Sequence, residues 1–205
     1  MARMPLGVMI GVGKVMEGRL SELGAAGFTT LQTCTPPERY FHEPESGDLI
    51  GTIADTGFTV TSVAAIYAGE DYSDIEKVRA TVGLLPPATR MTRIDDTKRT
   101  SDFAHALGAR NVSSHIGYIP EDRDDLEYAN LVKTLQLICR HLERQGQSFN
   151  LETGQETAEA LRQFIADVDR ANLGVNFDPA NMIMYGTGDP IEALADVCTD
   201  AGVWL

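Results

Sequence analysis

The stretch SFNLETGQETAEALRQFIADVDRANLGVNFDPAN, residues 148–181, decides the fold. It opens on an apolar run closed by an acid, Ser148 to Glu152, which reads as a strand. Glu156 to Ala171 reads as the helix after it, and Leu173 to Phe177 (LGVNF) as the next strand. A strand, a helix and a second strand in so short a length describe a crossover between parallel strands.

The same alternation extends in both directions. Upstream, Leu6 to Ile10, Phe28 to Thr33, Phe58 to Ile66 and Asn111 to His115 read as strands one to four. Lys14 to Ala25, Glu43 to Thr56, Arg93 to Leu107 and Asp124 to Gln145 are the helices between them. The last of these places Leu126, Ala129, Val132, Leu135, Ile138 and Leu142 at helical spacing. Tyr67 to Thr89 is an insertion with one expected helix over Asp74 to Val82. Downstream, Pro190 to Thr199 is a helix and Val203 to Leu205 opens a seventh strand.

Three joints share one device: AAGFTTL, DTGFTVT and ALGARNV each place a Gly between an apolar helix end and a strand. Gly supplies the left-handed residue that ends a helix. With no linker, low-complexity tract or shift in composition, residues 1–205 read as one domain.

An open doubly wound sheet and a (β/α)8 barrel both fit this alternation. A dinucleotide-binding doubly wound sheet carries G-x-G-x-x-G after its first strand and an acid at the end of its second. GVGKVMEG (11–18) has the first two glycines but not the third, and Thr33 and Cys34 end strand two. It also lacks the P-loop spacing, and it reads as a flexible turn.

The chain has 205 residues, with 17 Lys and Arg against 30 Asp and Glu, a net charge of −13. Such a balance argues against a nucleic-acid partner, because phosphate binding is driven by cationic side chains. Three well-separated cysteines (Cys34, Cys139, Cys198) suggest reduced thiols in a reducing compartment. No apolar run reaches the roughly 20 residues of a membrane span, and MARMPLGVMIGVG lacks a secretory cleavage site. A cytoplasmic protein without a membrane partner is the expectation.

The chemistry should lie where the strands end. Strand four ends in Ser113-Ser114-His115, strand five in Asn150-Leu151-Glu152, and strand six in Asn176-Phe177-Asp178, followed by Asn181. Parallel neighbours lie about 5 Å apart, so His115, Glu152 and Asp178 can converge. Oxygen and imidazole donors suit Mn2+, Mg2+ or Zn2+. A carboxylate beside such an ion can move a proton next to a carbonyl. Plainer roles exist for each: a satisfied buried histidine, a cap on the turn before Pro179, a turn asparagine. Glu152 is the hardest to explain that way, since an acid closing an apolar strand is costly to bury unpartnered.

In SSHIGYIP (113–120), FNLETGQETA (149–158) and NLGVNFDPANMIMYGTGDPIEAL (172–194) the chain resembles the xylose-isomerase-like barrel family. It is most similar to the sugar-phosphate isomerase/epimerase branch, which is related to endonuclease IV. The milder segment TSDFAHALGARNV (100–112) agrees. The resemblance implies a (β/α)8 TIM barrel and one divalent metal ion, Mn2+ favoured, with Mg2+, Co2+ or Zn2+ as alternatives. It makes Glu152 a metal ligand and the proton-transfer carboxylate, and Asp178 a second ligand. His115, Asn181 and Tyr118 become substrate-binding residues, on a small carbohydrate-like substrate. Asn181 stands where several relatives have His, which with the charge argues against a nuclease.

The family pattern continues with further strands that carry two more ligands, one of them a second proton-transfer glutamate. Six βα units and the start of strand seven are present here, where a barrel takes about 250 residues. The barrel is therefore expected to be incomplete and its activity weak or lost. The alternative functions are a non-catalytic remnant whose copies cover the open edge in a homo-oligomer, or an endonuclease IV-like hydrolase.

Overall fold

A computed structural model describes residues 5–200 and 203–204, with side chains placed through residue 195. The chain divides into two compact units. The described part of Met1–Ile66 with Arg99–Val112 forms one, and Tyr67–Lys98 with the described part of Ser113–Leu205 forms the other.

The first unit contains β1 (Gly7–Met9), α1 (Val12–Met16), α2 (Arg19–Ala25), β2 (Thr30–Cys34), a 3-10 turn (Glu38–Phe41), α3 (Glu45–Thr56) and β3 (Thr59–Ala64). β1 and β2 are parallel, as are β2 and β3, which align Leu31 with Val60. Leu20, Leu31, Leu49 and Val63 are fully enclosed and form its core. The single helix expected over Lys14 to Ala25 is two. Gly18, at φ 83°, stands in the left-handed region between them and breaks the hydrogen-bonded ladder. The GVGKVMEG stretch is accordingly α1 and its break, not a flexible turn. Gly27, Gly57 and Gly108 all have positive φ, as the three Gly joints require.

α4 (Ile75–Thr81) and α5 (Arg90–Ala106) follow, then β4 (Asn111–Ser114); the chain passes between the units within α5 and again within β4. Asn111, at the start of β4, donates its amide to the Thr61 carbonyl of β3 at 3.0 Å. Strand four thus lies beside strand three, in barrel order, whereas a doubly wound sheet would send it back beside strand one.

The second unit continues with α6 (Leu126–Glu143), β5 (Ser148–Glu152), α7 (Ala158–Val168), β6 (Leu173–Asn176), α8 (Pro179–Tyr185), α9 (Pro190–Asp200) and β7 (Val203–Trp204). Strand order is β4-β5-β6-β7. β5 and β6 pair in parallel from Phe149–Leu173 to Glu152–Asn176, and β6 aligns Val175 with Val203. The expected seventh strand is present at Val203–Trp204; Leu205 lies outside the described residues. This is the alternation of a (β/α)8 barrel, present in part.

Phe149, Leu151, Leu135, Ile138, Leu142 and Phe164 build the core of this unit. On α6 the buried stripe runs Tyr128, Leu131, Leu135, Ile138, Leu142, and Leu126 is 71% exposed. Leu126 is the first residue of the helix, next to its Asp125 cap, so it projects beyond the layer that α6 covers. α7 starts on Thr157, whose hydroxyl accepts the Ala160 N–H at 3.2 Å. Replacing Thr157 with Ala is expected to cost about 1 kcal/mol in urea unfolding, the usual loss for an N-cap hydroxyl. No helix among the described residues is long and apolar enough to cross a membrane.

Candidate functional site

All five residues singled out from the sequence lie in the second unit. β5 delivers Glu152 as its last residue, His115 follows the last residue of β4, and Asp178 follows β6 by two. The Glu152–Asn176 register keeps the ends of β5 and β6 level, so the turns after them share one rim.

Glu152 is the hub. His115 Nε2 stands 3.2 Å from Glu152 Oε1, and the Asn181 side-chain amide donates to the same oxygen at 3.3 Å. The side chains of His115 and Glu152 are only 18% and 21% exposed, so the pair sits largely out of water. The other imidazole nitrogen, Nδ1, is buried with no hydrogen-bond partner among the described residues. Burial draws the His115 pKa down, but the bond to Glu152 and the charges of Glu152, Glu70 and Glu156 outweigh it and leave the imidazole above its ordinary value.

Asn181 reaches Glu152 because of a turn locked by two neighbours. Thr153 Oγ1 accepts the Asp178 N–H at 2.7 Å and donates to the Asp178 carbonyl at 3.2 Å. Gly154, at φ 145°, has no Cβ where one would come within 2.4 Å of the Asn181 Cβ. Only glycine leaves that approach open.

Asp178 has the plainer role that its place before Pro179 suggested. Its Oδ1 accepts the N–H groups of Ala180 and Asn181 at 2.8 and 3.1 Å, capping α8 with Pro179 at the first helical position. Tyr118 meets Tyr185 edge to face at 6.2 Å, and Tyr185 packs at Gly154, two residues past Glu152. The Arg79 guanidinium lies over the Tyr118 ring at 4.6 Å.

Three further groups join the cluster. Tyr72 stands over His115 with ring centroids 5.9 Å apart, and Glu70 accepts its hydroxyl. Burial pushes the Glu156 carboxyl up to about 8, against the pull of His115, so it is largely protonated near neutrality. Glu156 had a visible signal, an acid four residues past Glu152 in TGQE. Glu70 and Tyr72 had none, since they lie in the irregular insertion where only tertiary contacts place a side chain.

Among the described residues no group of three His, Cys, Asp or Glu is placed to hold a metal ion. Glu152 and Asp178 are hard oxygen donors of the right type, but Glu152 Oε1 is engaged by His115 and Asn181 and Asp178 Oδ1 by the helix cap. The described residues alone therefore do not make up a metal centre. Grooves of about 560 and 660 Å3 run along α7 and α6, and neither is lined by Glu152 or His115.

Parallel strands in barrel order, with an acid–imidazole–amide cluster at their C-terminal ends, define a (β/α)8 scaffold with its site where such barrels carry their chemistry. The chain belongs to the xylose isomerase-like TIM barrel family, whose model matches residues 20–201. A xylose isomerase domain protein from Planctomyces limnophilus is 37% identical, with a TM-score of 0.88 over 97% of this chain and 72% of its own. A xylose isomerase-like TIM barrel protein from Mycobacterium smegmatis, solved in complex with magnesium, is 16% identical, with a TM-score of 0.72 over 98% of this chain and 74% of its own. A D-psicose 3-epimerase from Clostridium cellulolyticum H10, solved with D-tagatose, is 15% identical, with a TM-score of 0.72 over 98% and 72%. No curated protein matches the sequence.

Proposed function

We propose that this chain is of the sugar isomerase/epimerase type and moves a proton at the carbon next to a carbonyl of a small carbohydrate. The observation that carries this reading is the Glu152 cluster: one carboxylate, largely desolvated, with His115 and Asn181 both on Oε1. Family membership and the epimerase among the structural neighbours support it.

Glu152 is the base. Two donors on Oε1 fix the carboxylate plane and leave Oε2 to take the proton. Abstraction places negative charge on the substrate as an enediolate. His115, whose pKa the bond to Glu152 and the nearby acidic charges raise, is the group placed to stabilise that charge or to hydrogen-bond a substrate oxygen. Asn181 orients Glu152 and offers its amide to a substrate hydroxyl. Tyr118, with Tyr185, lines the approach. Glu156, kept neutral by burial, adds no competing anion beside the base.

Glu152 and Asp178 are also the two oxygen donors that these residues would give a divalent ion, and such donors suit Mn2+ or Mg2+. With no third donor among the described residues, no step above depends on an ion. A calorimetric Mn2+ titration of the wild-type chain beside Glu152→Gln tests this half-site: binding that the variant loses would place Glu152 among the ligands. Identical isotherms for the two proteins would remove Glu152 from the ligand set.

The test of the activity is hydrogen exchange. Ketoses incubated with the chain in D2O, with and without Mn2+, should gain deuterium at the carbon beside the carbonyl, as read by proton NMR. Failure across ketopentoses and ketohexoses in both conditions would overturn the reading.

A further inference from the structure

The segment between β3 and α5 carries two groups that this proton transfer does not use, Glu70 and Tyr72. Tyr72 is 50% exposed, yet it is held. Its ring is tilted 54° to the His115 ring at 5.9 Å, and its hydroxyl donates to Glu70 Oε2 at 3.4 Å. Glu70 is fixed in turn, because Oε1 accepts the Gly83 N–H at 2.8 Å and Oε2 the Tyr67 N–H at 3.4 Å. Buried Arg93 donates to the carbonyls of Gly83 and Ala68 at 2.5 and 3.3 Å, closing the segment at both ends. Leu84 N–H then donates to the Ile116 carbonyl at 2.9 Å, one residue past His115.

An irregular segment is thus tied at several points, and the result is a large amphipathic ring kept half in water beside a desolvated acid–imidazole pair. Apolar ring surface left in water is unfavourable until something covers it. The Tyr72 hydroxyl directs its proton toward Glu70 at 3.4 Å, which leaves its lone pairs for a ligand. Burial and the charges of Glu70 and Glu152 hold that hydroxyl above its ordinary pKa, which keeps it a neutral acceptor.

We propose that Tyr72 is a substrate-contacting residue of the Glu152 site, its ring covering the C–H face of a polyhydroxylated carbonyl compound and its oxygen accepting one ligand hydroxyl. Glu70 is the positioning residue that holds Tyr72 over His115. The assignment rests on the isomerase/epimerase reading and names residues that select ligands for it.

The test uses the whole chain with 15N-labelled histidine, following the His115 ring signals while D-fructose, D-tagatose and D-psicose are each titrated in. Saturable shifts are expected for at least one sugar in the wild-type chain. Tyr72→Ala should raise its Kd at least 10-fold. Tyr72→Phe, which keeps the ring, should raise it only a few-fold, and Glu70→Gln should behave like Tyr72→Phe. Wild-type affinity in Tyr72→Ala, with unchanged ligand-free His115 signals, would overturn the assignment and leave the isomerase/epimerase reading standing. No shift with any sugar in the wild-type chain would overturn both. Equal losses in Tyr72→Ala and Tyr72→Phe would show that the ring makes no contact.

Discussion

Glu152→Gln is expected to slow deuterium exchange into a ketose by a factor of about 10² to 10⁴, the range a positioned general base contributes. At about 1.4 kcal/mol per factor of ten, the barrier rises by roughly 3 to 5 kcal/mol. The substitution is nearly isosteric, and its amide oxygen can still accept from Asn181, so the fold around β5 should persist. What is lost is a carboxylate that can accept a proton. Asn181→Ala is the informative companion. It leaves the base and removes one of the two groups that orient it, so a smaller loss is expected. If Glu152→Gln exchanged at the wild-type rate, proton transfer would have to be assigned to another group.

The largest stability effect is expected at Gly83. A Cβ there would lie 2.0 Å from the Ile116 carbonyl carbon, 2.2 Å from the Gly117 nitrogen and 2.4 Å from the Ile116 oxygen, and the residue has φ +77°. All three neighbours are backbone of the loop that carries His115, so no side chain can swing aside. The left-handed conformation alone costs a non-glycine residue about 1–2 kcal/mol, and overpacking against an immovable partner adds about 1–3 kcal/mol or more. Gly83→Ala should therefore lose about 4 kcal/mol or more, a large share of the roughly 5–15 kcal/mol that holds a domain folded. Gly51, inside α3 with open space around its hydrogen, is the control. There the same change should gain about 0.5–1 kcal/mol by helix propensity. Urea unfolding followed by circular dichroism measures both. Similar midpoints for the two variants would refute the close packing of the insertion against the loop after β4.

The same glycine shows where reading the sequence reached its limit. LETGQE and NFDPAN mark an acid at the end of one strand and another just past the next, because strand ends are written in nearest-neighbour pattern; that Asp178, expected as a metal ligand, also caps a helix is a finding of the structure. The short helix Pro179–Tyr185 was missed although Asp178, Pro179 and Gly186 are all helix punctuation. At seven residues it is too brief for periodicity to register. Within residues 67–89 only the helix expected over Asp74 to Val82 is legible, and it stands at Ile75–Thr81; the rest has neither period nor motif. Its arrangement follows from Glu70 meeting the Gly83 N–H and from Arg93 meeting two carbonyls, pairings between 10 and 25 residues apart.

The sequence by itself thus determined the βα alternation, the positions of the Gly joints, the family, and Glu152 as the acid at the end of strand five. Each is a local pattern, set by apolar spacing, backbone freedom or the cost of burying a charge. Only the tertiary structure decided that Asn181 and His115 share one oxygen of Glu152, that Asp178 spends one oxygen on a helix cap, and that Tyr72 stands over the imidazole. Those contacts depend on which side chains the folded backbone brings within about 3 to 6 Å, a selection that no spacing along the chain encodes.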